Sequence, residues 1–168
     1  MLSDDVIRTI KNLKLVLSDL DGCLTDGGMY YNEEGQVFKK FNVKDGMGNR
    51  LLRQSGIKTG IITTDESEIV KSRGEKLKVD FIATGIWDKQ DTATEICDEI
   101  GISMKEAAYL GDDVNDIAIM RLVGFSACPA DAVDEVKKIA DLVLSKNGGE
   151  GAYREFADLI LKIIKSDR

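Results

Sequence analysis

Short apolar runs alternate with helical patterns along the sequence, and this alternation restricts the folds that the chain can adopt. The apolar runs are too short for ordinary helices and have the length of buried strands. The predicted strands are Leu15–Leu20, Thr59–Thr63, Asp80–Ala83, Ala107–Gly111, Gly124–Ala127 and Leu142–Leu144. Apolar residues at helical spacing lie between and after them, as in Lys89–Ile100 and Glu150–Ile164. The alternation predicts an α/β fold, in which helices cover both faces of a mostly parallel sheet.

One segment interrupts this alternation. The sequence GMYYNEEGQVFKKF, residues Gly28–Phe41, places two β-prone runs around Asn-Glu-Glu-Gly, which predicts a β-hairpin. A length of 168 residues suits one domain with a substantial core, and the sequence has no internal repeat or low-complexity linker. We therefore expect a single domain over residues 1–168.

The composition excludes several classes of function. A net charge of −7 disfavours general binding to nucleic-acid phosphates. No apolar run has transmembrane length and the N-terminus has no signal-peptide pattern, so we expect a cytoplasmic protein without membrane contact. The three widely spaced cysteines indicate free thiols. Because histidine is absent, acid–base chemistry would fall to carboxylates, and any metal would be a hard, oxygen-bound ion such as Mg²⁺.

Reactive side chains follow several predicted strands, at the edge where parallel sheets bind ligands. Asp19 and Asp21 end the first apolar run, and the alternation of a strand would place both carboxylates on one face. The other polar residues at this edge are Thr63, Lys89, Asp112 and Asp113. Mg²⁺ held by Asp19 and Asp112 would relieve the repulsion and attract a phosphate. Each residue alone also fits a helix cap or a surface charge, and only their combination indicates a site.

Phosphoryl transfer is the chemistry that these residues could perform. Lys89 and the Thr63 hydroxyl would bind phosphoryl oxygens. Asp19 would attack phosphorus and form an aspartyl-phosphate. Asp21 would protonate the leaving oxygen and then deprotonate the water that hydrolyses the intermediate. The sequence therefore predicts a Mg²⁺-dependent phosphatase.

Four segments resemble the motifs of the haloacid dehalogenase superfamily of phosphohydrolases. They are DLDGCLTD, the threonine after GII, Lys89 and GDDVND. Further stretches, including FNVKDGMG and GGEGAYREF, resemble the subfamily that dephosphorylates 3-deoxy-manno-octulosonate 8-phosphate and nine-carbon, sialic-type acid 9-phosphates. The resemblance implies a Rossmann-like fold with Asp19 as nucleophile and Asp21 as acid/base. The implied Mg²⁺ ligands are Asp19, the Asp21 carbonyl, Asp112 and, through water, Asp113, and the implied phosphoryl ligands are Thr63 and Lys89.

The resemblance also predicts how the site is covered. Many members of the superfamily carry a cap domain, but the stretches from Asp19 to Thr63 and from Thr63 to Lys89 have no room for one. A neighbouring subunit would then have to exclude water from the site. The apolar side chains of the hairpin are Met29, Tyr30, Tyr31, Val37 and Phe38. We expect a homo-oligomer, a tetramer in this subfamily, that associates through these hairpins, with the NGGEG segment as a candidate to enter an adjacent site.

Two residues bear on the substrate. The octulosonate enzymes typically carry an arginine two positions after the second-motif threonine, whereas this sequence has Asp65 there and Lys76 in the following helix. Both features resemble the nine-carbon enzymes more closely, and we expect a nine-carbon 2-keto-3-deoxy acid 9-phosphate rather than the octulosonate ester. Asp65 fits equally well as a cap of the helix predicted over Glu66–Leu77.

Two other classes of protein stay open on the sequence. A phosphorelay receiver also arranges acids, a threonine and a lysine around Mg²⁺, but its phosphorylated aspartate follows the third strand, and Asp80–Ala83 ends without one. A non-catalytic subunit of a cytidylyltransferase would not need the motifs that this chain carries. Turnover of a phosphate ester separates an enzyme from both.

Overall fold

The computed structural model describes residues 2–166. Its helices are α1 (Asp4–Lys11), α2 (Val43–Gln54), α3 (Glu68–Leu77), α4 (Lys89–Glu99), α5 (Ile117–Leu122), α6 (Asp134–Lys137) and α7 (Ala152–Lys165). Its strands are β1 (Leu15–Ser18), β2 (Tyr30–Asn32), β3 (Gly35–Phe38), β4 (Lys58–Ile62), β5 (Phe81–Ala83), β6 (Ala107–Leu110), β7 (Phe125–Cys128) and β8 (Leu142–Val143). Short 3₁₀ turns lie at Met104–Glu106 and Val114–Asp116.

Six of these strands form one parallel sheet, in the order β5-β4-β1-β6-β7-β8. The first strand of the sheet in the sequence, β1, lies between β4 and β6, with Leu17 aligned to Gly60 and to Tyr109. The predicted α/β fold is confirmed. The carboxyl ends of β1, β4 and β6 are neighbours as a result, and the residues that follow them meet at one edge.

Helices cover both faces of the sheet, as the sequence predicts. Val16 of β1 packs into a core with residues of α1, α2 and α7, whereas Leu15 and Leu17 pack into a second core with residues of α4 and α5. Strands buried on both faces read as continuous apolar runs rather than as alternating patterns. This explains why the central strands were visible in the sequence as short apolar runs.

The predicted hairpin is present as the antiparallel pair β2 and β3. The rings of Tyr30 and Phe38 stack with their centroids 4.4 Å apart. Even so, the apolar side chains of the hairpin are largely exposed in the single chain, with Met29 at 65%, Tyr31 at 64% and Phe38 at 55%. An isolated two-stranded hairpin with this much apolar surface is marginally stable in water.

The cysteines and the helices bear on two expectations from composition, free thiols and the absence of a transmembrane helix. Cys23, Cys97 and Cys128 are buried and free of disulfides. Among residues 2–166, no helix combines the length and the apolar character needed to cross a bilayer.

Candidate active site

The loop after β1 separates the two aspartates that the sequence placed on one face. The strand ends at Ser18, and the Leu20 carbonyl accepts the N–H groups of Leu24 and Thr25 at 2.8 and 3.0 Å, so the chain turns. The expectation of a shared strand face was therefore wrong. Asp19 lies 3.1 Å from the ammonium of Lys89, whereas Asp21 pairs with Lys39 and accepts the Thr25 hydroxyl at 2.9 Å. Two different lysines relieve the repulsion between the carboxylates.

Lys89 is the charged centre of the site. It is the first residue of α4 and is fully buried, and its ammonium lies 2.7 Å from Asp116 in addition to its contact with Asp19. Burial alone would lower the pKa of Lys89, but the Asp19 and Asp116 carboxylates outweigh burial and raise that pKa above its ordinary value. Lys89 therefore stays cationic and can bind a phosphoryl oxygen next to Asp19.

Asp116 is a site residue to which the sequence reasoning assigned no role. It is fully buried and accepts hydrogen bonds from Lys89 and from the Tyr109 hydroxyl, both at 2.7 Å. Its second oxygen accepts the backbone N–H groups of Asp112 at 2.9 Å and Asp113 at 3.2 Å. These four donors occupy both oxygens, so Asp116 orients Lys89 and the loop after β6. The sequence GDDVND contained a signal for Asp116, because it places this acid one helical turn after Asp112 and Asp113.

The acidic cluster has the chemistry of a site for a hard divalent cation. Asp19, Asp112 and Asp116 each offer a carboxylate oxygen, and these oxygens lie within 4.8 Å of one another. Burial, reinforced by the neighbouring carboxylates, raises the pKa of Asp19 to about 7 and that of Asp112 to about 8. A divalent cation makes such crowded carboxylates tolerable, and Mg²⁺ prefers oxygen ligands. The donor set fits Mg²⁺, with Asp19 and Asp112 as the carboxylates that are free to hold it.

Asp113 lies next to this cluster but uses its carboxylate locally. Its side chain is exposed and accepts the N–H of Val114 at 2.6 Å, at the start of the 3₁₀ turn. This contact matches the ordinary capping role that the sequence left open. A water-mediated contact to a metal stays a prediction for Asp113.

Thr63 follows β4 directly and is buried beside the site. Its backbone N–H donates to the Ala83 carbonyl at 2.9 Å, and its hydroxyl oxygen accepts the N–H of Asp65 at 3.2 Å. The hydroxyl proton is left free to donate, which is what binding of a phosphoryl oxygen requires.

The two residues linked to substrate choice lie apart. Asp65 pairs with Lys39 at 2.6 Å and accepts the Ser67 N–H at 2.7 Å, and these contacts lower its pKa although burial acts in the opposite direction. Lys76 is exposed and lines a groove between α2 and α3 together with Arg73. Because a helix rises 1.5 Å per residue, Lys76 lies about 12 Å beyond the start of α3. Lys76 also lines a pocket with Phe41 and Glu68 near the start of α3, and a role of Asp65 and Lys76 in substrate binding stays a prediction.

The NGGEG segment packs against the loop after β1 of its own chain. Gly148 and Gly149 are buried, and the Gly149 N–H donates to the Cys23 carbonyl at 3.2 Å. A Cβ atom on Gly148 would lie 1.8 Å from the Gly22 carbonyl oxygen, so only glycine fits. These contacts hold Gly148 and Gly149 against the loop of their own chain, whereas Asn147 and Glu150 are exposed, and entry of the NGGEG segment into an adjacent site stays a prediction.

The fold and the site define a phosphoric monoester hydrolase with Mg²⁺ as its cofactor. A parallel sheet brings a buried aspartate, a buried lysine, a threonine and an acidic cation site to one edge. The chain belongs to the haloacid dehalogenase-like hydrolases, since the model of that family matches residues 54–156. This membership decides against a phosphorelay receiver.

Similar proteins cover nearly the whole chain. The 3-deoxy-D-manno-octulosonate 8-phosphate phosphatase of Haemophilus influenzae is 35% identical over 92% of this chain and 86% of that protein. The enzyme of the same name from Escherichia coli K12 is 36% identical over 95% of this chain and 85% of that protein. Their alignments extend beyond the match to the family model.

Solved structures agree with these similarities. The 3-deoxy-D-manno-octulosonate 8-phosphate phosphatase of Moraxella catarrhalis, crystallised with a magnesium ion, a phosphate ion and a KDO molecule, has a TM-score of 0.92 at 36% identity. The match covers 95% of this chain and 92% of that one. A probable YrbI family phosphatase of Pseudomonas syringae has a TM-score of 0.94 at 37% identity, over 97% of this chain and 93% of that one.

Proposed function

We propose that this enzyme hydrolyses the phosphate monoester of a 3-deoxy-2-keto sugar acid through a phosphorylated Asp19. The observation that carries the proposal is the buried arrangement of Asp19 against Lys89, with Asp112 beside them and Asp21 held separately. A nucleophile and an acid/base need different environments to perform different tasks. The loop after β1 supplies both within three residues.

The proposed reaction has two steps. In the first, an Asp19 oxygen attacks phosphorus while Lys89 and the Thr63 hydroxyl bind phosphoryl oxygens, and Asp21 donates a proton to the sugar oxygen as its bond to phosphorus breaks. In the second, Asp21 accepts a proton from the water that attacks the phosphorus of phospho-Asp19, the bond between phosphorus and the Asp19 oxygen breaks, and inorganic phosphate leaves. Bound Mg²⁺, held by Asp19 and Asp112, supplies neutralisation of the phosphoryl charge.

The eight-carbon ester, 3-deoxy-D-manno-octulosonate 8-phosphate, is our first candidate substrate. Relatives of that name align over nearly the full chain. The nine-carbon 9-phosphate is the second candidate, favoured by an acid rather than an arginine at Asp65. Both oxygens of Asp65 are already engaged by Lys39 and by the Ser67 N–H, which weakens its case as a dedicated ligand of a sugar hydroxyl.

The site belongs, in this proposal, to a homotetramer in the cytoplasm. The exposed apolar side chains of the hairpin supply the surface for association. In this proposal Lys76, exposed on α3 beside Arg73, contributes a positive charge to substrate binding.

The experiment compares wild-type enzyme with Asp19→Asn on both sugar-acid phosphates. We expect turnover by the wild type with Mg²⁺, silence in excess EDTA, and no turnover by the folded Asp19→Asn variant. Asp88→Asn is the matched control, because Asp88 is an exposed neighbour of Lys89 that makes no capping hydrogen bond, and it should keep wild-type activity.

Three results would contradict the proposal: a wild type inactive on both esters, activity that survives the chelator, or an active Asp19→Asn variant. The ratio of kcat/KM for the two esters identifies the preferred sugar. A tenfold ratio corresponds to about 1.4 kcal/mol of transition-state discrimination.

A further inference from the structure

Lys39 is a buried cation at the base of the hairpin. It follows β3 directly, and its side chain is only 1% exposed although the strands before it are open to solvent. Its ammonium pairs with Asp21 and lies 2.6 Å from Asp65. Removing an ammonium from water costs several kcal/mol, and this cost is offset only by well-placed partners. Two carboxylates meet that condition here.

The next residue shows that burial is particular to Lys39. Lys40 has a side chain that is 54% exposed and pairs with Asp26 at 3.2 Å. An exposed pair of this kind contributes little. The two adjacent lysines therefore differ in burial and in the partners that they hold, while sharing charge and position at the base of the hairpin.

The contacts of Lys39 fix the orientation of Asp21. One Asp21 oxygen pairs with Lys39 and the other accepts the Thr25 hydroxyl at 2.9 Å, so both oxygens are held although a third of the side chain is exposed. Thr25 in turn forms a backbone bridge with Phe41, just after Lys39. The base of the hairpin and the loop after β1 are tied together at these points.

We propose that Lys39 is the positioning residue of Asp21 and that it links the placement of the hairpin to the acid/base of the reaction. This inference rests on the proposed function, in which Asp21 donates its proton to the leaving oxygen. Lys39 does not take part in the proton transfer and does not touch the reacting atoms. Without Lys39, the Asp21 carboxyl keeps the Thr25 hydroxyl but loses its charged partner, and it can turn away from the leaving oxygen.

The inference makes a prediction about leaving groups. An alkyl phosphate leaves as a strongly basic alkoxide and needs a proton as the P–O bond breaks, whereas p-nitrophenyl phosphate leaves as a weakly basic phenolate. The value of kcat/KM reports the steps up to departure of the leaving group. Displacement of Asp21 should therefore lower kcat/KM for glycerol phosphate much more than for p-nitrophenyl phosphate.

The experiment measures both kcat/KM values, with Mg²⁺, for wild type, Lys39→Met, Lys39→Arg and Lys40→Met. We expect Lys39→Met to lose at least about tenfold more activity on the alkyl ester than on the aryl ester, within the range that acid–base catalysis supplies. Lys39→Arg should recover part of that loss, and Lys40→Met should keep the wild-type ratio. If the single variant does not fold, the double variant Lys39→Met with Asp65→Asn replaces it, because this double variant removes one of the two carboxylates that lose Lys39 and leaves Asp21 in place.

Equal losses on the two esters, or no loss in Lys39→Met, would overturn the assignment, because a merely structural role affects both esters alike. The simple esters also separate this inference from the proposed substrate. A wild type that hydrolyses them but neither sugar-acid phosphate refutes the substrate, while the ester ratio still decides the role of Lys39. A wild type that hydrolyses no ester refutes both.

Discussion

Asp45 is a buried carboxylate that should make the stability of this enzyme depend on pH. It lies in the first turn of α2, fully buried, and one oxygen accepts the Arg154 N–H at 2.8 Å at the start of α7. The other oxygen has no hydrogen-bond partner among the residues that the structure describes. Burial raises the pKa of Asp45 to about 6 from an ordinary value of 3.8, although the Arg154 N–H and nearby arginines act in the opposite direction.

The magnitude follows from linkage between proton binding and folding. Because the pKa is higher in the folded chain than in the unfolded chain, the folded protein binds more protons between these two values. The free energy of unfolding therefore falls as the pH rises from about 4 to above 6. The difference between 3.8 and about 6 corresponds to about 3 kcal/mol, which is a large part of the stability of a typical domain.

Asp45→Asn isolates this effect. The amide is neutral at every pH and keeps an oxygen for the Arg154 N–H, so the variant lacks the cost of ionising the buried group. Urea denaturation of both proteins at pH 4 and pH 7.5 should show the free energy of unfolding of the variant gaining about 2.5 kcal/mol on that of the wild type between the two conditions, since Asp45 of the unfolded chain is already partly ionised at pH 4.

Asp158→Asn is the control, because Asp158 is an exposed carboxylate that pairs with the same Arg154. Between pH 4 and pH 7.5, the difference in the free energy of unfolding between Asp158→Asn and wild type should change by less than about 1 kcal/mol. The reasoning is refuted if the free energies of unfolding of Asp45→Asn and wild type differ by the same amount at both pH values. It is also refuted if the difference shifts in favour of the wild type at the higher pH.

Two further predictions concern the loop after β1 and the hairpin. Gly22→Ala should abolish activity and weaken Mg²⁺ binding, measured by calorimetry, because the new Cβ would lie 2.0 Å from an Asp112 carboxylate oxygen. Gly56→Ala is the control, since Gly56 also has a positive φ but its Cβ would meet no atom within 4 Å, and this variant should keep its activity and its Mg²⁺ affinity. Phe38→Ser should dissociate the proposed homotetramer and reduce activity, since it removes half of the stacked Tyr30–Phe38 pair from the exposed apolar surface of the hairpin. Light scattering checks the assembly, and a fully active monomeric wild type contradicts its role.

The fold and much of the site could be predicted from the sequence because their causes are local. A strand buried on both faces must be apolar at nearly every position, and Leu15, Val16 and Leu17 satisfy this with neighbouring residues alone. Parallel pairing then brings the ends of β1, β4 and β6 together, so Asp19, Thr63 and the acids after β6 had to meet.

The residues that sequence reasoning missed depend on contacts between distant segments. Nothing local distinguishes Lys39 from Lys40, and only the approach of two loops decides which ammonium is buried. Asp116 likewise owes its role to Lys89 and Tyr109, which come from other elements. The end of β1 at Ser18 was also missed, because Leu20 is as apolar and as buried as a strand residue although it belongs to the turn.

The packing of Gly148 and Gly149 against the loop after β1 has a consequence for the order in which the enzyme becomes active during synthesis. The Asp19 loop leaves the ribosome before the residues that support it. The Gly149 N–H donates to the Cys23 carbonyl of this loop, and the Asn42 side chain donates to the Gly149 carbonyl at 3.3 Å. Both contacts therefore wait for a segment that is translated much later. A nascent chain can pair β1 with β4 and β6 long before this support exists. The Asp19 loop is therefore translated well before the glycine segment that supports it, and chains that are cut short before that segment have Asp19 without this support.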